Sequence, residues 1–200
     1  SFEIQLGLVG DFSLAQEAQD LVHSIRGIDK ANGWDNQLDT EVGLALIYDR
    51  KQRIIRRNDI VGMFGFDTII HGGVALGNVF TNLTSGAEFR FGWNIPTDFG
   101  SALIRPAGNT NAPTDATDPR YQQGKNALSF YVFAATNGRW VLRDIFLDGN
   151  TFSDSHSVDK KSLVGEFVLG SSFVIKNIKL SYAQVFRSKE YKGQSNGQSF

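Results

Sequence analysis

The chain holds three histidines, His23, His71 and His156, and no cysteine. Imidazole titrates near neutrality and readily takes a proton from water, so each histidine is a candidate general base. His23 has the most suggestive neighbours. Gln19 stands four residues before it, one helical turn away, and Asp29 six residues after it. Gln19 could hold the ring or a substrate oxygen, and Asp29 could fix the ring tautomer or help bind a metal. A solvated polar helix face would show the same spacing, so spacing alone leaves both readings open.

Other motifs carry less chemistry. HGGVALGN (His71–Asn78) packs three glycines into eight residues, which suits a tight corner; a phosphate cradle would need a following helix, and none is expected there. FLDGNTF (Phe146–Phe152) reads as a turn, and GWDNQL (Gly33–Leu38) as a structured loop re-entering a strand. RKQRIIRR (Arg50–Arg57) reads as a solvated or headgroup-contacting basic cluster at a turn. No nucleophile elbow, P-loop, HExxH or EF-hand pattern is present.

The element that must position His23 is a short amphipathic helix. Ser13 with Gln16 reads as a capping-box start and Gly27 as a stop. Leu14, Ala18, Leu21, Val22 and Ile25 form one apolar stripe, and Gln16, Gln19 and His23 lie opposite it. Around this helix the pattern is that of strands. Residues 2–9, 84–93, 163–175 and 178–186 alternate apolar and polar, which marks two unlike faces.

Nine strands are expected, at roughly 1–9, 39–50, 53–68, 72–81, 85–94, 127–136, 139–148, 162–175 and 177–190. Their connections alternate short (50–52, 82–84, 136–138, 176–177) and long (10–38, 95–126, 149–161), with a small corner at 67–73. That parity is the signature of an outer-membrane barrel, with short turns at one rim and long loops at the other. It would gather all three histidines at the extracellular rim. The segment 95–126 is rich in Pro, Thr, Asn and Asp and is left as a polar loop.

Composition narrows the function classes. Net charge is −1, which gives no electrostatic footprint for nucleic acid. Lack of cysteine removes disulfides, thiolate nucleophiles and zinc–cysteine sites together. No run of apolar residues is long enough for a spanning helix, whereas strand spans remain open. The reading is a single all-β domain over residues 1–200, a transmembrane antiparallel barrel with one short helix in an extracellular loop. It is expected to be a fragment lacking N-terminal strands and the last strand.

Four blocks in order carry a family resemblance: GLVGDFSLAQEAQDLVHSIRG (7–27) with GWDNQL (33–38), HGGVALGNVF (71–80), FLDGNTFSDSHSVDKKSLVG (146–165) and LSYAQVFRSKEYKGQ (180–194). Together they resemble the outer-membrane lipid A deacylases, formerly catalogued as a domain of unknown function. The resemblance implies a barrel of about twelve strands in the bacterial outer membrane. It implies calcium-dependent hydrolysis of ester-linked acyl chains at the 3′ position of lipid A, the lipid of outer-leaflet lipopolysaccharide. The matching site positions are His23 as water-activating base, Gln19 and Asp29, with a Ca2+ ion polarising the ester carbonyl. The family's calcium-binding Asn-Asp pair lies on a first strand that would precede Ser1, so no metal ligand is carried over. The alternative is a non-catalytic structural or binding outer-membrane barrel of the same fold.

Overall fold

The computed structural model describes residues 1–57, 64–100, 118, 128–176 and 178–200. Eight strands pair in sequence order as one antiparallel meander: β1 (Phe2–Val9), β2 (Glu41–Arg57), β3 (Phe64–Gly77), β4 (Phe80–Trp93), β5 (Leu128–Asp144), β6 (Leu163–Ile175), β7 (Ile178–Arg187) and β8 (Gln198–Ser199). Helix α1 (Ala15–Arg26) lies between β1 and β2, and the single turn α2 (Ile145–Asp148) follows β5. No described helix is long and apolar enough to cross a membrane, and the strands are what cross in a barrel.

Alternation sorts the side chains onto two faces. Phe2, Ile4, Leu6 and Leu8 of β1 point outward and are exposed, as are Phe89 and Phe91 of β4, Phe130 and Val132 of β5, and Phe167 and Leu169 of β6. Cross-strand aromatic pairs such as Phe66–Phe89, with ring centroids 5.9 Å apart, stud this outer surface. The inner face instead carries Asp67, Glu88, Arg90, Asn137, Glu166 and Arg187. Apolar outside and polar inside is the inverse of a soluble domain, and it is the pattern a bilayer selects.

Among the described residues the strands are longer and fewer than the nine expected. The turns expected at 50–52, 82–84 and 136–138 lie inside β2, β4 and β5, and the corner expected at 67–73 lies inside β3. The reason is physical. In a soluble domain, polar and small residues such as Asp49–Gln52 or Asn137–Gly138 signal a turn, whereas in a barrel wall they supply lumen-facing positions. The tight β3–β4 connection is Asn78–Val79, which the sequence reading had placed within a strand.

Rim assignment changes accordingly. Strands β1, β3, β5 and β7 all end at one rim, which therefore carries 10–40, 78–79, 145–162 and 188–197. The segment following β4 begins at the opposite rim, not beside α1 as the expected parity had it. His71 sits mid-strand in β3 with its ring Nε2 3.1 Å from Asn137 Oδ1, so only His23 and His156 share the helix rim. His71 reaches β5 by crossing Gly86 of the intervening strand. A Cβ at Gly86 would lie 2.5 Å from the imidazole.

The opposite rim is closed by the residues after β4. Residues 95–98, expected as the start of a solvated loop, are buried; 101–117 and 119–126 of that expected loop lie outside the described residues. Arg90, fully buried, binds Asp67 through Nε at 2.7 Å and Asp98 through Nη1 at 2.5 Å. Tyr131 lies beneath its guanidinium at 5.2 Å. Arg53 also binds Asp67 and the Asp98 carbonyl, and Arg56 donates to Thr97 Oγ1 at 2.9 Å. A register shift between Arg53 and Ile55 makes this possible, because the irregularity turns both arginines to the lumen. Much of the basic cluster 50–57 thus faces inward onto this strap rather than sitting solvated at a turn.

Candidate active site at the helix rim

Helix α1 begins differently from its expected cap. Ser13 belongs to a 3-10 turn (Asp11–Ser13), and Leu14, in the left-handed region at φ 58°, precedes the first helical residue. No side-chain capping box forms; Ser13 Oγ accepts only from the amide of Ala15, at 3.4 Å. The C-terminus does end at Gly27, whose φ of 63° only glycine adopts freely. The amide of Gly27 donates to Ser24 O at 3.3 Å and that of Ile28 to His23 O at 3.0 Å, the paired bonds of a Schellman motif.

That motif builds the histidine's environment. By reversing the chain after Arg26 it brings Asp29 back along the helix. The Asp29 carbonyl accepts from His23 Nδ1 at 2.6 Å. With the proton held on Nδ1, the lone pair resides on Nε2. Gln19, one turn earlier, sets its amide nitrogen 3.4 Å from that Nε2. Lys30 then binds Asp20 at 2.9 Å and ties the returning chain to the helix. The three expected residues therefore meet, but Asp29 contributes its main chain, and its carboxylate stays exposed.

Beside the helix a second set of residues joins the rim segments. Glu41, the first residue of β2, is buried at 8 % exposure, and its Oε2 accepts from the amides of Thr151 at 2.9 Å and Phe152 at 3.3 Å and from Asn150 Nδ2 at 3.1 Å. Asn150 and Asp39 exchange bonds, Asp39 N donating to Asn150 Oδ1 at 3.0 Å and Asn150 Nδ2 to Asp39 O at 2.8 Å. Asn78 donates to Val42 O and accepts from the Leu44 amide, both at 2.8 Å, so the β3–β4 turn is sewn to β2. Arg143 donates to Asn78 O at 3.0 Å and to Thr151 Oγ1 at 2.8 Å. His156 lies on the same segment and is exposed.

With this geometry in view, the comparisons become informative. The profile of the family described as outer membrane protein LpxR matches residues 1–200. The chain belongs to the LpxR family. Among solved structures, LpxR from Salmonella typhimurium is similar with a TM-score of 0.74 at 20% identity, covering 99% of this chain and 63% of that one. At that identity the likeness establishes the fold, an all-β outer-membrane barrel, and this chain spans 63% of the length of that relative. No curated protein matches the sequence.

For this LpxR-family barrel the rim network was the part that residue reading passed over. In the sequence Asn78 and Asn150 read only as parts of turn motifs, and Glu41 and Arg143 carry no motif. Their signal was present, since Glu41 and Arg143 are charged residues at the ends of otherwise regular strands, but their partners lie far away in sequence. Among the described residues no three His, Asp or Glu side chains come together to hold a metal. The local chemistry is thus one imidazole of fixed tautomer, with an amide beside its basic nitrogen.

Proposed function

We propose that the protein hydrolyses ester-linked acyl chains of lipid A in the outer leaflet, at the 3′ position that the sequence resemblance implies, with His23 as general base. The observation that carries this reading is the hydrogen bond from His23 Nδ1 to the Asp29 carbonyl, 2.6 Å long, which puts the basic lone pair on Nε2, where a water displacing the long 3.4 Å contact from Gln19 would give up its proton. Gln19 beside that nitrogen would hold the water or the ester oxygen. The apolar stripe of α1, with Leu21, Val22 and Ile25 all exposed, suits a helix lying at a lipid surface. The helix rim is accordingly the extracellular one.

Calcium, when bound, would polarise the scissile carbonyl. Among the described residues no three His, Asp or Glu side chains gather to hold the ion, and no ligand for it is assigned. The test is mass spectrometry of lipid A after incubation with the purified full-length protein, with calcium and with a chelator. Loss of one ester-linked chain in calcium alone is expected, and His23→Ala should lower the rate by about 10²- to 10⁴-fold. Unchanged lipid A with wild-type protein would leave the non-catalytic barrel of the same fold as the better reading.

A further inference from the structure

The His23 face is not the only feature of the helix rim suited to a lipid. A cleft of about 570 Å³ lies between the end of β1, the 34–38 turn and the 146–158 segment. That volume is within the roughly 300–1,000 Å³ typical of small-molecule sites. Its apolar walls are Leu8, Val9, Trp34, Leu38, Phe146 and Val158; polar Ser13, Asn36, Gln37, His156 and Ser157 also line it, and no Asp, Glu, Lys or Arg does. A hydrocarbon chain would bury its surface against the apolar walls, and His156 is the one lining side chain with which an anionic headgroup could pair.

Two further observations point to the occupant. Leu8 is the last member of the lipid-facing row Phe2, Ile4, Leu6 and Leu8, so the cleft begins where the bilayer-facing surface of the barrel ends. The indole Nε1 of Trp34 is buried without a hydrogen-bond partner. A docked chain that turns the indole toward the cleft would offer it the acceptor it lacks, the ester carbonyl at the head of the chain. Neither His23 nor Gln19 lines the cleft. It borders the start of α1 at Ala15, and the eight residues from there to His23 span about 12 Å of helix axis.

We propose that this cleft holds one acyl chain of an outer-leaflet lipid while another part of the same lipid reaches His23. It is a positioning site, and it rests on the lipid-hydrolase reading only for what it positions. A lipid with several chains on one headgroup would be held by a chain that is not cut. Chain length at that position would then govern which ester is presented to the imidazole.

Trp34 reports on its own surroundings. Of the three tryptophans in these 200 residues, Trp93 and Trp140 lie on the outer wall, so a full-length variant with Trp93→Phe, Trp140→Phe and any tryptophan outside these residues also changed to Phe leaves Trp34 as the sole indole. The probe is a phosphatidylcholine with brominated acyl chains, titrated into detergent micelles containing this variant. Trp34 emission is expected to fall saturably and to recover when unbrominated lipid competes. Adding Val158→Phe, which narrows the cleft, should weaken the apparent affinity at least about fivefold, as overpacking of a filled site does. Quenching that is linear, insensitive to competitor, or unchanged by Val158→Phe in a folded barrel would overturn the proposal. If that variant does not fold, the competition result decides alone. Lipid A deacylation is followed in parallel. Saturable quenching without deacylation removes the hydrolase reading and keeps the chain site, and deacylation without saturable quenching does the reverse.

Discussion

The two rims of this barrel solve the problem of polar residues in opposite ways. At the rim opposite α1, charge is removed from water altogether: Arg90, Asp67 and Asp98 are at most 1 % exposed and satisfy one another, with Arg53 adding a further bond. At the helix rim the polar groups are loop amides and side chains gathered around Glu41, and α1 itself buries no residue. The first arrangement fixes a strap inside the wall. The second holds several segments in register while leaving an imidazole partly open to what approaches. Rigid burial suits a closure, and exposed but oriented groups suit a site that must meet a substrate.

The comparison can be broken by substitution. Arg90→Met should have the largest effect on stability, about 3–5 kcal/mol, because it removes the one fully buried cation shared by two buried carboxylates and leaves Asp67 with Arg53 and Asp98 with the Gly100 amide and Lys179. Urea unfolding of the barrel in lipid vesicles measures this, and combining it with Asp67→Asn and Asp98→Asn should restore much of the loss. A cost under about 1 kcal/mol for the single variant would mean that the strap is not held by charge. Glu41→Ala comes next, at about 1–3 kcal/mol, since it leaves the Thr151 and Phe152 amides without their acceptor. Its sharper readout is faster proteolysis within 145–162, with the strap at the other rim unaffected.

Gly27→Ala should cost about 1–2 kcal/mol through its left-handed backbone. It should reduce deacylation more than stability, because the same turn sets the Asp29 carbonyl against His23 Nδ1. Smallest in stability is His23→Ala, expected within about 0.5 kcal/mol of wild type in the same unfolding assay. If that variant instead destabilised the barrel as Arg90→Met does, His23 would be a structural member of the rim and the contrast would fail.

Much of the wall was legible one residue at a time. β1, β6 and β7 fall close to their expected positions because their outward faces are unbroken alternations ending in recognisable turns. The sequence pattern cuts the longer strands in two at Arg50–Gln52, at Asn82–Thr84 and at Thr136–Gly138. The error has one source: the same polarity that ends a strand in water continues it along a lumen. Register was equally hidden. His71 reads as a rim residue beside two glycines until pairing sets it opposite Gly86, with Asn137 beyond.

By itself the sequence determined the period-two faces, the amphipathic stripe of α1 and the grouping of Gln19, His23 and Asp29 within ten or so residues. These are local properties, set by alternation, helical pitch and a glycine at the helix end. Only the tertiary structure decided which atom of Asp29 meets the imidazole, which loops share a rim, and that Arg53, Asp67, Arg90 and Asp98 form one buried cluster. Those outcomes depend on strand register and on a backbone irregularity in β2. A one-residue slip of β3 or β4 would turn Asp67 or Arg90 to the lipid face, and without the irregularity in β2 Arg53 and Arg56 could not both face the lumen.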